Sequence, residues 1–215
     1  MVIDTLSIET PTHGRVLVSR PVGASNVTLV AFHGYAQGAD EMMSELRTTP
    51  GSENWTIASV QGLNRFYARR DERTVASWMT RQDRDQVIAD NIEYVNRVFD
   101  AIAHAGPGVS ATYVLGFSQG VAMAYRAGLL TRHRVNGIVA IGGDIPPDTK
   151  AVPASDWPRV LVAAGDTDHW FTPDKVAADE TFLQTHSVEH QVLRYAAGHV
   201  INDDVRAAVA AFVRG

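Results

Sequence analysis

Apolar residues along the chain fall into short runs that alternate with segments of helical periodicity. Six runs are mostly continuous and rich in β-branched residues, which is typical of strands covered on both faces of a sheet. We interpret these runs as buried parallel strands. They are VTLVAF (27–32), WTIASV (55–60), ATYVLGF (111–117), VNGIVAI (135–141), RVLVAA (159–164) and EHQVLRYA (189–196).

The N-terminal residues 1–20 follow a different pattern. Two short segments, LSIET (6–10) and RVLVSR (15–20), are separated by Pro11, Thr12, His13 and Gly14, a composition typical of a turn. This pattern predicts an antiparallel hairpin that opens the sheet and brings the expected number of strands to about eight.

Helical periodicity is clearest from about Asp83 to Ala105, where apolar residues recur at intervals of three and four. Gly106 and Pro107 are expected to stop this helix. Further helices are predicted directly after Ser118, from near Pro173, and at the C-terminus, where Val205, Val209 and Phe212 share one stripe.

Strands that alternate with helices predict a largely parallel, doubly wound α/β sheet in one domain spanning residues 1–215. Ligands of such sheets bind beyond the carboxyl ends of the strands. We therefore expect the functional residues to meet at that edge of the sheet.

Composition removes several classes of protein. The chain has 19 Lys and Arg against 24 Asp and Glu without a long basic run, so nucleic acid is not an expected partner. Cysteine is absent, which excludes thiol nucleophiles, disulfides and thiolate metal sites. The N-terminus has neither the basic start nor the apolar stretch of a signal peptide or membrane span. We therefore expect a soluble, cytoplasmic protein without stable membrane insertion.

The strongest chemical signal is GFSQG (116–120), a G-x-S-x-G pattern between a predicted buried strand and a predicted helix. Gly116 and Gly120 let the chain reverse sharply and let the helix pack closely. Such a turn exposes the hydroxyl of Ser118 above the sheet, with a helix N-terminus beneath developing negative charge. Ser118 is therefore the predicted nucleophile.

A serine nucleophile needs a histidine base that is oriented by a carboxylate. His199 fits the role of base because it ends the last strand-like run, just before the final helix. Asp166 and Asp168 follow one buried strand and Asp144 follows the preceding strand, so spacing alone leaves three candidate acids. Each gives the chain order Ser, Asp, His that this arrangement requires.

An oxyanion hole needs two backbone N–H groups, one after the nucleophile and one from the loop after an early strand. Gln119 occupies the first position. The second falls on Tyr35 in FHGYAQG (32–38), a glycine-rich loop that follows VTLVAF. We interpret His33, in the same loop, as a residue that fixes the loop rather than as a catalyst.

Four blocks carry a resemblance to a known family: FHGYAQGADEM (32–42), GFSQGVAMAYRAGL (116–129), AAGDTDHWFTP (163–173) and AAGH (196–199). Together they resemble the phospholipase/carboxylesterase family of α/β hydrolases, small serine esterases that include acyl-protein thioesterases. The resemblance extends from about Val27 to the C-terminus. It implies an α/β-hydrolase fold, selects Asp168 as the acid, and carries the oxyanion amides over to Tyr35 and Gln119.

The stretch from Asp144 to Pro158, where many relatives of this fold insert a lid, is short and holds four prolines. It cannot form a large cap, so we expect loops to wall the substrate pocket and to favour short or medium acyl esters. The residues predicted to contact substrate are Phe66, Trp78, Met79, Trp170 and Phe171.

The predicted function is hydrolysis of a small-molecule carboxylic ester through Ser118, His199 and Asp168, without a metal or organic cofactor. Alternatives left open are a thioesterase or lysophospholipase, a perhydrolase or lactonase with the same triad, and a non-catalytic binding module. The sequence leaves monomer and homodimer open as well.

Two features depart from the family pattern. One is Tyr35, a phenol where smaller or aliphatic residues are common. The other is the segment QGLNRFYARRDERTVASWM (61–79), which weighs against an acylated-protein substrate. This segment carries a basic cluster, interpreted as a solvated face or as a site for an anionic group. The cluster consists of Arg65, Arg69, Arg70 and Arg73.

Overall fold

The computed structural model describes residues 1–69, 71–104 and 111–215. The strands in these ranges are β1 (Val16–Ser19), β2 (Val27–Phe32), β3 (Thr56–Val60), β4 (Asn64–Tyr67), β5 (Thr74–Ser77), β6 (Ala111–Phe117), β7 (Gly137–Ile141), β8 (Arg159–Gly165) and β9 (His190–Tyr195). The α-helices are α1 (Ala39–Leu46), α2 (Arg84–His104), α3 (Gln119–Leu129), α4 (Pro173–Thr185) and α5 (Asp203–Arg214).

Seven of the strands form one sheet in the order β1-β3-β2-β6-β7-β8-β9. Neighbouring strands are parallel throughout this sheet except for β1 and β3. All six runs interpreted as buried parallel strands lie in it, and the predicted helices after Ser118, near Pro173 and at the C-terminus are α3, α4 and α5. The prediction of a mostly parallel, doubly wound α/β sheet is therefore confirmed.

The N-terminal edge of the sheet is antiparallel, as predicted, but its pairing partner differs. β1 pairs with β3, with Val16 opposite Val60 and Ser19 opposite Ile57. Residues 6–10, expected to form a hairpin with β1, form no strand. Leu6 and Ile8 are exposed in this segment, where no second layer covers an apolar face and a further edge strand gains little from burial.

Three short elements were absent from the prediction, namely α1, β4 and β5. α1 buries only Ala39, Met42 and Leu46, a helical spacing that is too brief to stand out in the sequence. β4 and β5 form a separate antiparallel hairpin, with Asn64 opposite Ser77. The long helix α2 agrees with its periodicity, while its predicted end at Gly106 and Pro107 lies outside the described residues.

The helices cover both faces of the sheet and create two apolar cores. Val30 and Val114 point to the face packed against α2, α3 and α4, whereas their neighbours Leu29 and Leu115 point to the face packed against α1 and α5. This alternation follows from the two-residue period of a strand. Burial of both faces explains the continuous apolar runs of β2, β3, β6, β7 and β8. The prediction of burial was wrong for β9, which lies at the edge of the sheet and buries only Tyr195.

The connection between β7 and β8 leaves the carboxyl edge of the sheet open. It contains two single 3-10 turns, Pro147–Thr149 and Ala154–Asp156, so the prediction of no large cap is confirmed for this connection. Asp148 in the first turn accepts two hydrogen bonds from buried Arg126 (2.7 and 2.9 Å), which anchor the connection to α3. Among the described helices, none is both long and apolar enough to cross a membrane.

Candidate active site

Ser118 lies at the turn between β6 and α3. Its backbone has φ 53° and ψ −120°, a conformation that residues with side chains seldom adopt and that stores strain. The Ser118 N–H donates to Ile141 O at the end of β7 (2.8 Å). The expected sharp turn is therefore present, and it holds the serine at the carboxyl end of the central strand β6.

Gly116 and Gly120 stand where no larger residue fits. A Cβ on Gly120 would lie 2.1 Å from Phe32 O, and a Cβ on Gly116 would lie 2.3 Å from Gly120 O. α3 therefore approaches β2 and β6 backbone to backbone. This close packing places the N-terminus of α3 directly after Ser118, where the helix dipole favours negative charge.

A hydrogen bond joins Asp168 and His199 at the same edge of the sheet. His199 Nδ1 donates to Asp168 Oδ2 at 2.7 Å, and the side chain of Asp168 is 0 % exposed. Because an ionised carboxylate only accepts hydrogen bonds, the neutral form of the ring has its proton on Nδ1 and its lone pair on Nε2. The imidazole packs on Phe117, the residue before Ser118, with ring centroids 4.9 Å apart. The imidazole of His199 is thus held in one orientation beside the turn that carries Ser118.

The carboxylate of Asp168 is held through both of its oxygens. Oδ1 accepts hydrogen bonds from the backbone N–H groups of Trp170 (2.7 Å) and Phe171 (3.1 Å). Desolvation raises the pKa of Asp168, but the hydrogen bonds from His199 and the two amides outweigh it, so the pKa lies below its ordinary value of 3.8. Asp168 is therefore ionised at neutral pH despite its burial.

The two other acids left open by spacing are placed differently. Asp166 is exposed, and the side chain of Asp144 is 59 % exposed, 3.8 Å from Lys175 Nζ. Within the described ranges, Asp168 is the one of the three that contacts His199.

The loop after β2 is fixed beside Ser118 by two side chains. Buried His33 accepts a hydrogen bond at Nε2 from Gly62 N–H (3.0 Å), and its Nδ1 donates to Gly34 O (2.7 Å). Desolvation, the largest influence, lowers the pKa of His33 below its ordinary value of 6.5, which matches a neutral ring. Gln37 Oε1 accepts from Gly34 N–H (2.8 Å). Gly34 is held so close that a Cβ there would lie 3.3 Å from Ser118 Cβ.

The sequence prediction did not include Gln37 among the site residues. The available signal was its position within FHGYAQG, where one more polar side chain accompanies the two glycines of the loop.

The backbone N–H groups of Tyr35 and Gln119 donate to no acceptor in the described part of the chain. Gln119 is the first residue of α3, where a helix leaves its N–H groups without intrahelical partners. Its side chain is occupied elsewhere, since Oε1 accepts from Trp78 N–H (2.9 Å) and Nε2 donates to Ser77 Oγ (3.1 Å). These contacts tie the start of α3 to the end of β5.

The five residues predicted to contact substrate fall into two groups. Trp78 and Phe171 are 1 % exposed and belong to the core, so their prediction as substrate contacts is corrected to core packing. Sequence composition does not distinguish a ring that turns inward from one that turns outward. The others reach the surface: Phe66 packs half-buried against Tyr35 with ring centroids 5.6 Å apart, Met79 is half-buried, and Trp170 is 75 % exposed.

The predicted basic cluster is neutralised by acidic side chains at one described position, Arg73. Arg73 donates to Glu41 Oε1 (2.6 Å) and Asp71 Oδ2 (2.5 Å), and Arg65 donates to His13 O. Arg69 is exposed, and Arg70 lies outside the described residues. The contacts of Arg73 match the interpretation of this cluster as a solvated face.

The sheet topology and the strained serine at a strand-to-helix turn define the class of protein as an α/β hydrolase. The described ranges contain no group of three or more His, Asp or Glu side chains arranged to hold a metal ion.

The chain belongs to the phospholipase/carboxylesterase family, whose model matches residues 14–213. This membership confirms the resemblance seen in the four sequence blocks, and it makes the protein a serine hydrolase. No curated protein sequence matches the chain.

Solved structures of esterases share the fold at low sequence identity. Acyl-protein thioesterase 2 of Zea mays is 17 % identical with a TM-score of 0.75, covering 94 % of this chain and 98 % of that one. A carboxylesterase of Mesorhizobium loti is 23 % identical with a TM-score of 0.72, and the match covers 89 % of this chain and 90 % of that one. Esterase PE8 is 22 % identical with a TM-score of 0.72, covering 94 % and 99 %.

Proposed function

We propose that the protein is a carboxylic ester hydrolase in which Ser118, His199 and Asp168 form a catalytic triad. The observation that carries this proposal is the 2.7 Å hydrogen bond from His199 Nδ1 to buried Asp168. It fixes the tautomer in which Nε2 is the free base, as abstraction of a serine proton requires.

In the proposed reaction, His199 Nε2 takes the proton of the Ser118 hydroxyl while Ser118 Oγ attacks the ester carbonyl carbon. The tetrahedral intermediate collapses as His199 returns the proton to the departing alcohol, which leaves an acyl-enzyme on Ser118. Water, deprotonated by His199, then attacks the acyl carbonyl, and His199 returns the proton to the Ser118 oxygen as the carboxylic acid departs. Asp168 stays ionised and stabilises the imidazolium at each step.

The oxyanion of each intermediate is assigned to the N–H groups of Tyr35 and Gln119. Support comes from their lack of an acceptor in the described chain and from the hydrogen bonds of His33 and Gln37 that hold the loop beside Ser118. Donors fixed before the reaction need no rearrangement when charge develops, which is why such sites lower the barrier.

We further propose short to medium acyl esters of small alcohols as substrates. The connection between β7 and β8 provides no cap over the site, and three of the predicted substrate contacts, exposed Trp170 and half-buried Phe66 and Met79, are accessible at the surface. A site walled by loops rather than by a deep tunnel accommodates a short chain better than a long one.

The direct test is hydrolysis of p-nitrophenyl butyrate by the wild type and by Ser118→Ala. The variant should lose at least about 10³-fold in kcat, since the nucleophile is removed. A fluorophosphonate should label the wild type at Ser118 and leave the variant unlabelled. Ser155→Ala, at an exposed serine in a 3-10 turn, is the matched control and should keep full activity. Retained activity in Ser118→Ala would exclude the proposed triad.

A further inference from the structure

A cavity of about 330 Å³ opens beside His199 on the side of the site that faces α1. His199 and Phe117 form part of its wall, and Gln37, Glu41 and Glu45 form another part. The same two glutamates border a neighbouring cavity of about 440 Å³ that reaches Arg206. The two cavities therefore share a wall on α1, one on the side of the imidazole and the other on the side of Arg206.

The position of His199 in this wall indicates which part of a substrate the cavity receives. In acyl transfer, the imidazole gives its proton to the leaving oxygen, so the leaving alcohol has to lie next to the ring. The oxyanion donors proposed above, Tyr35 and Gln119, are not among the residues that line the cavity. The geometry therefore places the alcohol, rather than the carbonyl oxygen, on this side.

The wall contributed by α1 is rich in hydrogen-bond acceptors. Glu41 already accepts from Gly38 N–H (2.8 Å) and from Arg73 Nη1 (2.6 Å). Glu45 differs because only one of its two carboxylate oxygens has a partner among the described residues. Its Oε1 accepts both hydrogen bonds from Arg206, one from Nε (2.9 Å) and one from Nη2. No donor in the described chain reaches Glu45 Oε2. A carboxylate oxygen of this kind accepts from a hydroxyl and repels another anion.

We propose that this cavity binds the alcohol portion of the substrate and selects a small neutral alcohol with additional hydroxyl groups over a simple alkyl alcohol. Glu45 Oε2 accepts a hydrogen bond from such a hydroxyl, while half-buried Ile201 and buried Met42 contact its carbon atoms. Esters whose alcohol carries a phosphate or carboxylate are disfavoured by Glu41 and Glu45. The inference rests on the proposed function, because it assigns His199 as the acid for the leaving group.

The test compares glyceryl monobutyrate with propyl butyrate, which differ only in two hydroxyl groups. Each kcat/KM is divided by the rate constant for hydrolysis of the same ester by hydroxide, which removes differences in intrinsic reactivity. The wild type should prefer the glyceryl ester by about tenfold, the value of one to two net hydrogen bonds. A corrected ratio near one would overturn the inference.

Glu45→Leu removes the acceptor and should bring the corrected ratio close to one. Arg206 keeps hydrogen bonds to Asp203 Oδ1 (2.6 Å) and Ile201 O (3.1 Å) in this variant. The matched control is Glu93→Leu, which removes a half-exposed glutamate paired with Arg97 on α2 and should keep the wild-type ratio. An unchanged ratio in a folded Glu45→Leu protein would contradict the role of Glu45.

Competition supplies a measurement that needs no variant. Glycerol should inhibit hydrolysis of p-nitrophenyl butyrate at about tenfold lower concentration than 1-propanol, because the free alcohol occupies the same cavity. Equal or weaker inhibition by glycerol would count against the inference. Failure of the proposed function has a different signature, since the wild type would then hydrolyse neither butyrate ester and Ser118 would not react with a fluorophosphonate.

Discussion

Asp168 and Asp166 are two residues apart, yet the fold gives them different surroundings. Asp168 is buried and bonded to His199, whereas Asp166 is exposed. Asp168→Asn should lower kcat for p-nitrophenyl butyrate by about 10³- to 10⁴-fold, because an amide can donate to Nδ1 and so favours the wrong tautomer of His199. KM should change little.

Asp166→Asn is the matched control for this prediction and should retain kcat within about twofold, as surface substitutions generally have small effects. Thermal melting of both variants separates loss of catalysis from loss of fold. A large loss of kcat in Asp166→Asn with Asp168→Asn unaffected would reverse the assignment of the acid.

Buried His33 gives the stability of the protein a specific pH dependence. Its pKa in the folded state is lowered, so below about pH 6.5 the unfolded chain takes up a proton that the folded chain does not. The contribution of neutral His33 to the free energy of unfolding should therefore be fully present above about pH 6.5. It should decrease as the pH falls from about 6.5 towards the folded-state pKa. Protonation of Nε2 would also break the hydrogen bond from Gly62 N–H.

Urea unfolding of the wild type and His33→Asn between pH 8 and pH 5 measures this effect as a difference in slope. His33→Asn should be less stable at pH 8 and should lose less of its remaining stability on acidification. His104→Asn, which removes an exposed histidine on α2, should follow the wild-type slope. Parallel curves for the wild type and His33→Asn would show that His33 is not held neutral.

At the level of single residues, the sequence was informative where one chemical type occupies a restricted position. The order of Ser118, Asp168 and His199 along the chain, each after a predicted strand, led to residues that the fold places at one sheet edge. Trp78 and Phe171 were misassigned because hydrophobicity describes a residue and not the direction of its side chain. Glu45 gave no signal, since its relevance depends on α1 lying beside His199.

Among the elements, length decided what the sequence could predict. The strands covered on both faces and the long helix α2 have enough apolar positions to show their period. α1, β4 and β5 span only 8, 4 and 4 residues, and their positions are set by contacts with distant residues. Glu41 of α1, for example, accepts a hydrogen bond from Arg73 (2.6 Å), which lies between β4 and β5. Such tertiary contacts leave no local pattern.

The packing of α3 against the sheet should make Gly120 the most sensitive glycine of that helix. A Cβ at Gly120 would lie 2.1 Å from Phe32 O and 2.6 Å from His33 O, and these backbone atoms cannot move without displacing β2. Gly120→Ala should therefore destabilise the protein by about 3 kcal/mol or prevent folding. Urea denaturation monitored by tryptophan fluorescence measures the loss.

Gly128→Ala on the same helix is the comparison, because its Cβ would meet side-chain rather than backbone atoms, 2.8 Å from Ile138 Cδ1 and 2.9 Å from Ile138 Cγ1. Alanine also raises helix propensity by up to about 1 kcal/mol, so this variant should be destabilised clearly less than Gly120→Ala. Similar stability for Gly120→Ala and Gly128→Ala would refute the backbone contact between α3 and β2.

For the whole molecule, the sheet gathers the site from strands that are far apart in sequence. The loop after β2, the turn after β6, and the segments after β8 and β9 supply Tyr35, Ser118, Asp168 and His199. Parallel strands bring these segments to one edge. The proposed chemistry therefore depends on the ends of four strands, β2, β6, β8 and the edge strand β9, whereas the edge formed by β1 contributes no residue to the proposed site.

Removal of residues 1–12 tests whether the N-terminal segment is part of the folded unit. This segment forms no strand or helix and exposes Met1, Val2, Ile3, Leu6 and Ile8. The cut precedes His13, whose carbonyl accepts from Arg65. The shortened protein should keep its esterase activity and a Tm within about 2 °C of the full chain, because little buried surface is lost. If residues 6–10 instead paired with β1 as a hairpin, their loss would expose β1 and lower Tm by several times that amount.

A longer deletion through Ser19 removes β1 and uncovers β3, a buried strand, and should cause aggregation at the new edge.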